Sequence, residues 1–370
     1  MKNWSHKLFW ALILIVSGAN SFKVSAGEIP LGSLIVGRYE TAGDHILFDW
    51  PCVTVRADFV GSGSVYMRLN GQGNRFRVTV NGQSREIETG FAEETILIAD
   101  HLENGRHKVS VKKVTEAASF FIPFFMNQGV PRFYGFESTG QLELQIPPSA
   151  DKKIDFYGDS AMAGFGILGD SQTSTLACLR GMLNFEDCDY SWPSVVGRAI
   201  GADIHIQAWS GRGVVKNAAG LLPWSQEPFP VYWERSLATA PGSQWQHHLW
   251  VPDLIVVGLG HNDFYNRPFP DETSFVSGYR QFIESIKGAD PQLADVPMLV
   301  ICGGTEWKNR LVCPLVKEAI KDLKTEGVTY RELQPEWFTS EDIGCLSHFN
   351  IQGNSKMADK LLQDIEEILK

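Results

Sequence analysis

Hydrophobic and polar positions change their rhythm once along this chain. In the first part, short runs rich in β-branched and aromatic residues alternate with turn residues, at 45–50, 53–59, 64–69, 75–80, 94–98 and 106–111. Asn81-Gly82 is a strong hairpin-turn pair. A spacing of roughly ten residues between such runs, with no helical period among them, predicts a β-sandwich or jelly roll over 27–148. Pro147-Pro148-Ser149 breaks the pattern and reads as a linker. Beyond it, over 149–370, strand-like runs (153–157, 203–209, 253–259, 297–302, 328–333) alternate with helical ones (194–200, 275–286, 311–323). A last helix is capped by Asn350 and turns Ile351, Ala358, Leu361, Leu362, Ile365, Ile368 and Leu369 inward. The near-continuous apolar runs suit buried parallel strands. The second part is therefore expected to be an α/β/α sandwich, with its ligand site at the carboxyl ends of the strands.

Three of those strand ends carry chemistry. The first runs into Gly158-Asp159-Ser160, the second into Ser210-Gly211-Arg212-Gly213 and the third into Gly260-His261-Asn262-Asp263. A hydroxyl at a strand-to-helix turn lies beside unpaired N–H groups and the positive end of a helix dipole. Ser160 is thus a candidate nucleophile. The N–H groups of Ser160 and Gly211 and the Asn262 side chain are candidate oxyanion donors. His348, just before the last helix, is the candidate base. Singly, each has a plainer reading: a cap, a turn glycine, a loop histidine. Their succession at strand ends favours catalysis.

In this order, these blocks resemble those of the SGNH (GDSL-like) hydrolase superfamily. Carbohydrate esterase family 2, the acetyl-xylan and acetyl-mannan esterases, is similar in both halves. Phe48-Asp49-Trp50-Pro51 and Gly73-Asn74-Arg75-Phe76 resemble its N-terminal jelly roll, and Trp209 to Val214 and Gly344-Cys345 with His348-Phe349-Asn350 resemble its hydrolase domain. The resemblance implies removal of O-acetyl groups from plant-type or algal polysaccharides or their oligosaccharides through a serine acyl-enzyme, with no cofactor and no metal. The superfamily's usual aspartate, three residues before the histidine, is replaced by Cys345, and the next position is Leu346. The family resemblance allows a Ser–His dyad oriented by a backbone carbonyl, with Asp342 or Glu341 as distant substitutes. The rival is a glycan-binding protein that kept the fold and lost activity with its carboxylate. Whether the N-terminal unit binds glycan or is purely structural stays open.

Charge and composition narrow the field. A net charge of -10 over 370 residues disfavours a nucleic-acid partner. Lys2 and Lys7, the apolar stretch 8–16 and Val24-Ser25-Ala26 read as a signal peptide over 1–26, too short to span a membrane. The mature chain is then exported, periplasmic or extracellular, beginning at Gly27. Export permits oxidation of the six cysteines. A Cys178–Cys188 bond would close a short polar insertion, at most two of Cys302, Cys313 and Cys345 pair together, and Cys52 reads as a buried free thiol; spacing fixes no connectivity. No C-x-x-C pair suggests zinc. Gly164-Phe165-Gly166-Ile167-Leu168-Gly169 fits G-x-G-x-x-G, but it starts too late after its strand for a dinucleotide turn, and the second strand ends at Trp209 rather than an acid. His261 reads as loop filling. None of Trp209, Trp224, Trp233, Trp245, Trp250 and Phe264 is assigned to a ligand.

Overall fold

The computed structural model describes residues 29–117, 128–218, 227–323 and 327–370. The expected signal segment and Trp224 lie outside the described residues.

The N-terminal domain is an antiparallel all-β unit. Its strands are β1 (Ile35–Val36), β2 (Glu40–Ala42), β3 (His45–Leu47), β4 (Thr54–Asn70), β5 (Arg75–Val80), β6 (Gln83–Glu88), β7 (Glu94–Lys113), β8 (Arg132–Ser138) and β9 (Glu143–Gln145). The main path runs β2-β3-β8-β4-β7-β5-β6, with β1 and β9 also paired to β4. Two pairs of expected strands are fused. The runs 53–59 and 64–69 are one strand, β4, and 94–98 and 106–111 are one strand, β7. Glycine placed between the first pair reads as a turn, but here it makes a bulge. The β4–β7 register shifts between Gly61, Gly63 and Val65. At Gly61, with φ 121°, a Cβ would meet the Gln141 carbonyl oxygen at 2.0 Å. Asn81 and Gly82, at φ 50° and 84°, make the hairpin turn between β5 and β6.

The second domain has a five-stranded parallel sheet in the order β11-β10-β12-β13-β14. These are β10 (Lys153–Gly158), β11 (Asp203–Ala208), β12 (Leu254–Gly258), β13 (Met298–Gly303) and β14 (Val328–Leu333). Every residue of β12 and β13 is buried, as their unbroken apolar runs require. Around the sheet lie α1 (Ser160–Ala163), α2 (Thr175–Arg180), α3 (Trp192–Ile200), α4 (Glu272–Gly288), α5 (Glu306–Leu311), α6 (Cys313–Ile320) and α7 (Ile351–Ile368). The helix expected over 311–323 is two: the chain breaks at Val312, and Pro314 sits in the first turn of α6, where its missing N–H is harmless. Asn350 caps α7, its side chain accepting the Gly353 N–H at 3.0 Å.

All six cysteines are paired, as Cys52–Cys188, Cys178–Cys345 and Cys302–Cys313. Cys52 is therefore not a free thiol, and Cys178 and Cys188 do not join each other. Sequence proximity misled here because Cys188 faces the β-domain while Cys178 faces the loop before α7. The domains are also joined by buried charge. Asp49 accepts the Ala238 and Thr239 N–H groups at 2.7 and 2.9 Å, and Arg77 reaches Asp187 at 2.6 Å and Asp189 at 2.8 Å.

Candidate active site

The turn after β10 is built from small residues. Asp159 caps α1 by accepting the Ala161 N–H at 3.0 Å, which leaves Ser160 first in the helix. The helix ends after one turn because Gly164 takes φ 80°; a Cβ there would meet the Asp187 carbonyl oxygen at 2.4 Å. The helix is thus the single turn Ser160–Ala163. Gly166 and Gly169 have no dinucleotide role in view: they admit the loop before α7, Cys345 N donating to the Gly166 carbonyl at 3.0 Å. A Cβ on Gly166 would meet the Cys345 carbonyl oxygen at 2.7 Å, and one on Gly169 would meet the Cys345 N at 2.8 Å.

That approach delivers His348. Its Nε2 lies 2.7 Å from Ser160 Oγ. Its Nδ1 lies 3.2 Å from the Cys345 carbonyl oxygen and 3.1 Å from that of Leu346. Two carbonyls at Nδ1 require a proton there and leave the Nε2 lone pair facing the serine hydroxyl. Phe165 packs edge-on against the ring, 4.9 Å between centroids. Burial, and behind it the Lys308 cation, holds His348 below its ordinary pKa; Asp159 and the two carbonyls oppose the shift.

Asp342 is bonded elsewhere. It is fully buried and belongs to a capping box: its carboxylate accepts the Thr339 N–H at 2.7 Å and the Lys356 ammonium at 2.7 Å. Glu341 is exposed, and its carbonyl accepts the Asn350 side-chain N–H at 2.7 Å.

Gly211, at φ 77°, and Asn262 line the same cavity as Ser160 and His348, a space of about 490 Å³. Asn262 Nδ2 donates to Asp159 Oδ2 at 3.1 Å and to the Arg212 carbonyl at 2.9 Å, so both its hydrogens are engaged. The loop that carries Gly211 is knitted by Asp263, whose carboxylate accepts the N–H groups of Val214, Val215 and Lys216 at 2.9, 2.7 and 2.9 Å. Burial pushes Asp263 up to about 6 against those three bonds.

Two family models match the chain. One, "Carbohydrate esterase 2 N-terminal", covers residues 35–148, and the other, "GDSL-like Lipase/Acylhydrolase family", covers 156–354. The chain belongs to the GDSL-like lipase/acylhydrolase family. Membership places it among the carboxylic ester hydrolases.

Relatives of this GDSL-like chain include a cellulase/esterase, CelE, of Acetivibrio thermocellus, 26% identical over 86% of the chain; the match spans only 37% of that protein's length. An acetylxylan esterase / glucomannan deacetylase of Cellvibrio japonicus is 23% identical over 86% of this chain and 85% of its own. The fold is shared with a family two carbohydrate esterase from Clostridium thermocellum in complex with cellohexaose, with TM-score 0.76, 24% identity, and 91% and 98% of the two chains covered.

Several cavity residues escaped sequence reasoning. Tyr265 and Trp307 line it with exposures of 66% and 41%, whereas the tryptophans 209, 233 and 245 are buried. Trp250 stacks on His205 at 3.5 Å between centroids, and Phe264 is a buried part of the cavity wall. His261 also faces the cavity, with Nδ1 3.8 Å from Asp159. Lys308 is carried by α5, within the segment closed by Cys302–Cys313. Exposed aromatics and an inward lysine carry no periodicity that marks them in advance. Glu116, contributed by the β-domain, is the other omission.

Proposed function

We propose that this chain removes O-acetyl groups from polysaccharides or their oligosaccharides through a serine acyl-enzyme. The observation that carries the reading is the 2.7 Å contact between Ser160 Oγ and His348 Nε2, with Nδ1 held by two carbonyls. Ser160 attacks the acetyl carbonyl as His348 takes its proton. The oxyanion is received by the N–H groups of Ser160 and Gly211 and by Asn262, which gives up its bond to Asp159 at that moment. His348 then protonates the departing sugar hydroxyl, and a water activated by the same imidazole releases acetate. The lowered His348 pKa favours the neutral imidazole that a base requires.

Carbohydrate as the alcohol side is supported by Tyr265 and Trp307, whose exposed rings in the cavity wall suit stacking on sugar. It is also supported by the acetylxylan and glucomannan activity in the Cellvibrio relative's name and by cellohexaose in the Clostridium structure. Three disulfides fit an oxidising, exported location. No helix among the described residues is long and apolar enough to cross a membrane.

The test is acetate release from acetylated xylan and acetylated glucomannan by the chain and by Ser160→Ala. Release that disappears in the variant is expected. No release from either polymer, or equal release by the variant, overturns the reading and leaves a binding protein.

A further inference from the structure

One buried acid belongs to the β-domain yet reaches the hydrolase site. Glu116 follows β7, is fully buried and forms part of the cavity wall with Ser160 and Gly211. Its Oε2 accepts the Ser210 N–H at 2.6 Å. Ser210 immediately precedes Gly211. On the far side, the Arg212 carbonyl is bonded by Asn262 at 2.9 Å. The glycine that faces the cavity is thus clamped from both flanks, and one jaw of the clamp comes from the other domain.

The jaw itself is braced. The Glu116 backbone N–H donates to the Glu186 carboxylate, and its carbonyl accepts Lys113 Nζ at 2.8 Å. Thr115 Oγ1 donates to Asn74 at 3.0 Å. Lys113 spends its hydrogens on the Thr115 and Glu116 carbonyls rather than on a carboxylate. Burying a carboxylate whose second oxygen, Oε1, has no partner among the described residues is costly. A neutral side chain would accept one N–H without that cost. Acids held at such expense in the wall of a cleft cluster at functional sites.

We propose that Glu116 is a positioning residue for the oxyanion hole: it fixes Ser210, and through it the Gly211 N–H, so the β-domain is a working part of the esterase site. The inference rests on the serine-esterase reading, and the experiment separates the two. Hydrolysis of p-nitrophenyl acetate is followed in the wild-type chain and in Glu116→Ala, Glu116→Asp and Glu116→Gln, with Ser160→Ala as control. Active-site titration counts the competent molecules, so partial misfolding does not enter kcat. If wild-type activity does not depend on Ser160, the esterase reading fails, whatever Glu116 does.

Given Ser160-dependent activity, Glu116→Ala should lower kcat by about 10- to 100-fold with KM nearly unchanged, short of the loss of a whole oxyanion donor. Glu116→Asp keeps the charge but falls one methylene short, and should resemble the alanine variant. Glu116→Gln keeps the reach and an acceptor oxygen, and should recover to within a few-fold of wild type. Phosphylation of Ser160 by diethyl p-nitrophenyl phosphate, which also places an oxygen in the hole, should slow in parallel with kcat. Wild-type kcat in titrated Glu116→Ala overturns the proposal. So does activity in the aspartate variant with loss in the glutamine one, which would mean that charge and not position matters.

Discussion

The turn that carries Ser160 and the loop that carries His348 meet across a 2.7 Å contact but are made in opposite ways. The serine turn is local. A strand, a glycine, a capping aspartate and one helical turn place the hydroxyl, and all the parts lie within a few residues. The histidine loop is made from a distance. Leu346 and Ser347 sit at φ 52° and 64°, a region that disfavours side chains. The loop is held there by Cys178, 167 residues away, and by its fit against Gly166 and Gly169. Where the superfamily relies on an aspartate to orient the imidazole, this loop uses its own backbone. If His348 is the base, stiffness stands in for the missing carboxylate: a carbonyl orients a ring only if the peptide bearing it does not move.

The two constructions should break differently. The largest effect is expected from packing at the serine turn. Gly164→Ala forces a Cβ against the Asp187 backbone at a positive φ, so a stability loss of about 3 kcal/mol is expected, read as a lowered denaturation midpoint. The histidine loop should instead fail in chemistry. Cys178→Ala frees the Cys345 peptide, and kcat on p-nitrophenyl acetate should fall by about 10-fold or more with KM little changed. It should also lower stability by about 2–4 kcal/mol, the usual worth of such a bridge. A wild-type kcat in that variant would show that the loop is stiff without its disulfide. A smaller effect sharpens the contrast: Leu346→Gly relieves the left-handed strain, so stability should rise by about 1 kcal/mol while kcat falls a few-fold. Opposite signs in the two measurements are the signature of strain held in place for function.

The mildest change concerns pH. His348 must be neutral to act as a base, so activity falls as pH drops through its pKa. Burial and the Lys308 cation both lower that pKa, which places the acid limb below the ordinary histidine value. Lys308→Met removes the second cause, and the acid limb of the kcat profile should move to higher pH. An unmoved limb would show that burial alone sets it.

The same contrast explains what could be read in advance. That Ser160, Gly211 and Asn262 meet at one cavity was legible because each follows the carboxyl end of a strand of the parallel sheet. The last helix was legible from its cap and from most of its inward stripe, but Ile351, expected inward, lies in the first turn and is 42% exposed, and Met357 is buried in its stead. The bonds that hold His348 were not, because a disulfide across 167 residues leaves no local trace. Cys178 and Cys188 looked like partners only because they are neighbours in sequence. In the β-domain, Gly61 and Gly63 read as a break and proved to be a bulge, since a glycine signals an unusual φ without saying whether the strand continues. Glu116 and Trp307 gave no signal at all: one is an acid after a strand, the other an aromatic on a short helix, and only the fold brings them to the cavity.

A serine–histidine pair that works with backbone carbonyls in place of a third acid needs neither Asp342 nor Glu341. The most direct measurement is kcat/KM for p-nitrophenyl acetate in Asp342→Asn and Glu341→Gln beside Ser160→Ala, each corrected for the folded fraction. A loss of at least about 10³-fold is expected for Ser160→Ala, with values within a few-fold of wild type for the two acid variants. A loss in either acid variant comparable with that of Ser160→Ala would contradict that expectation and restore a carboxylate to the site.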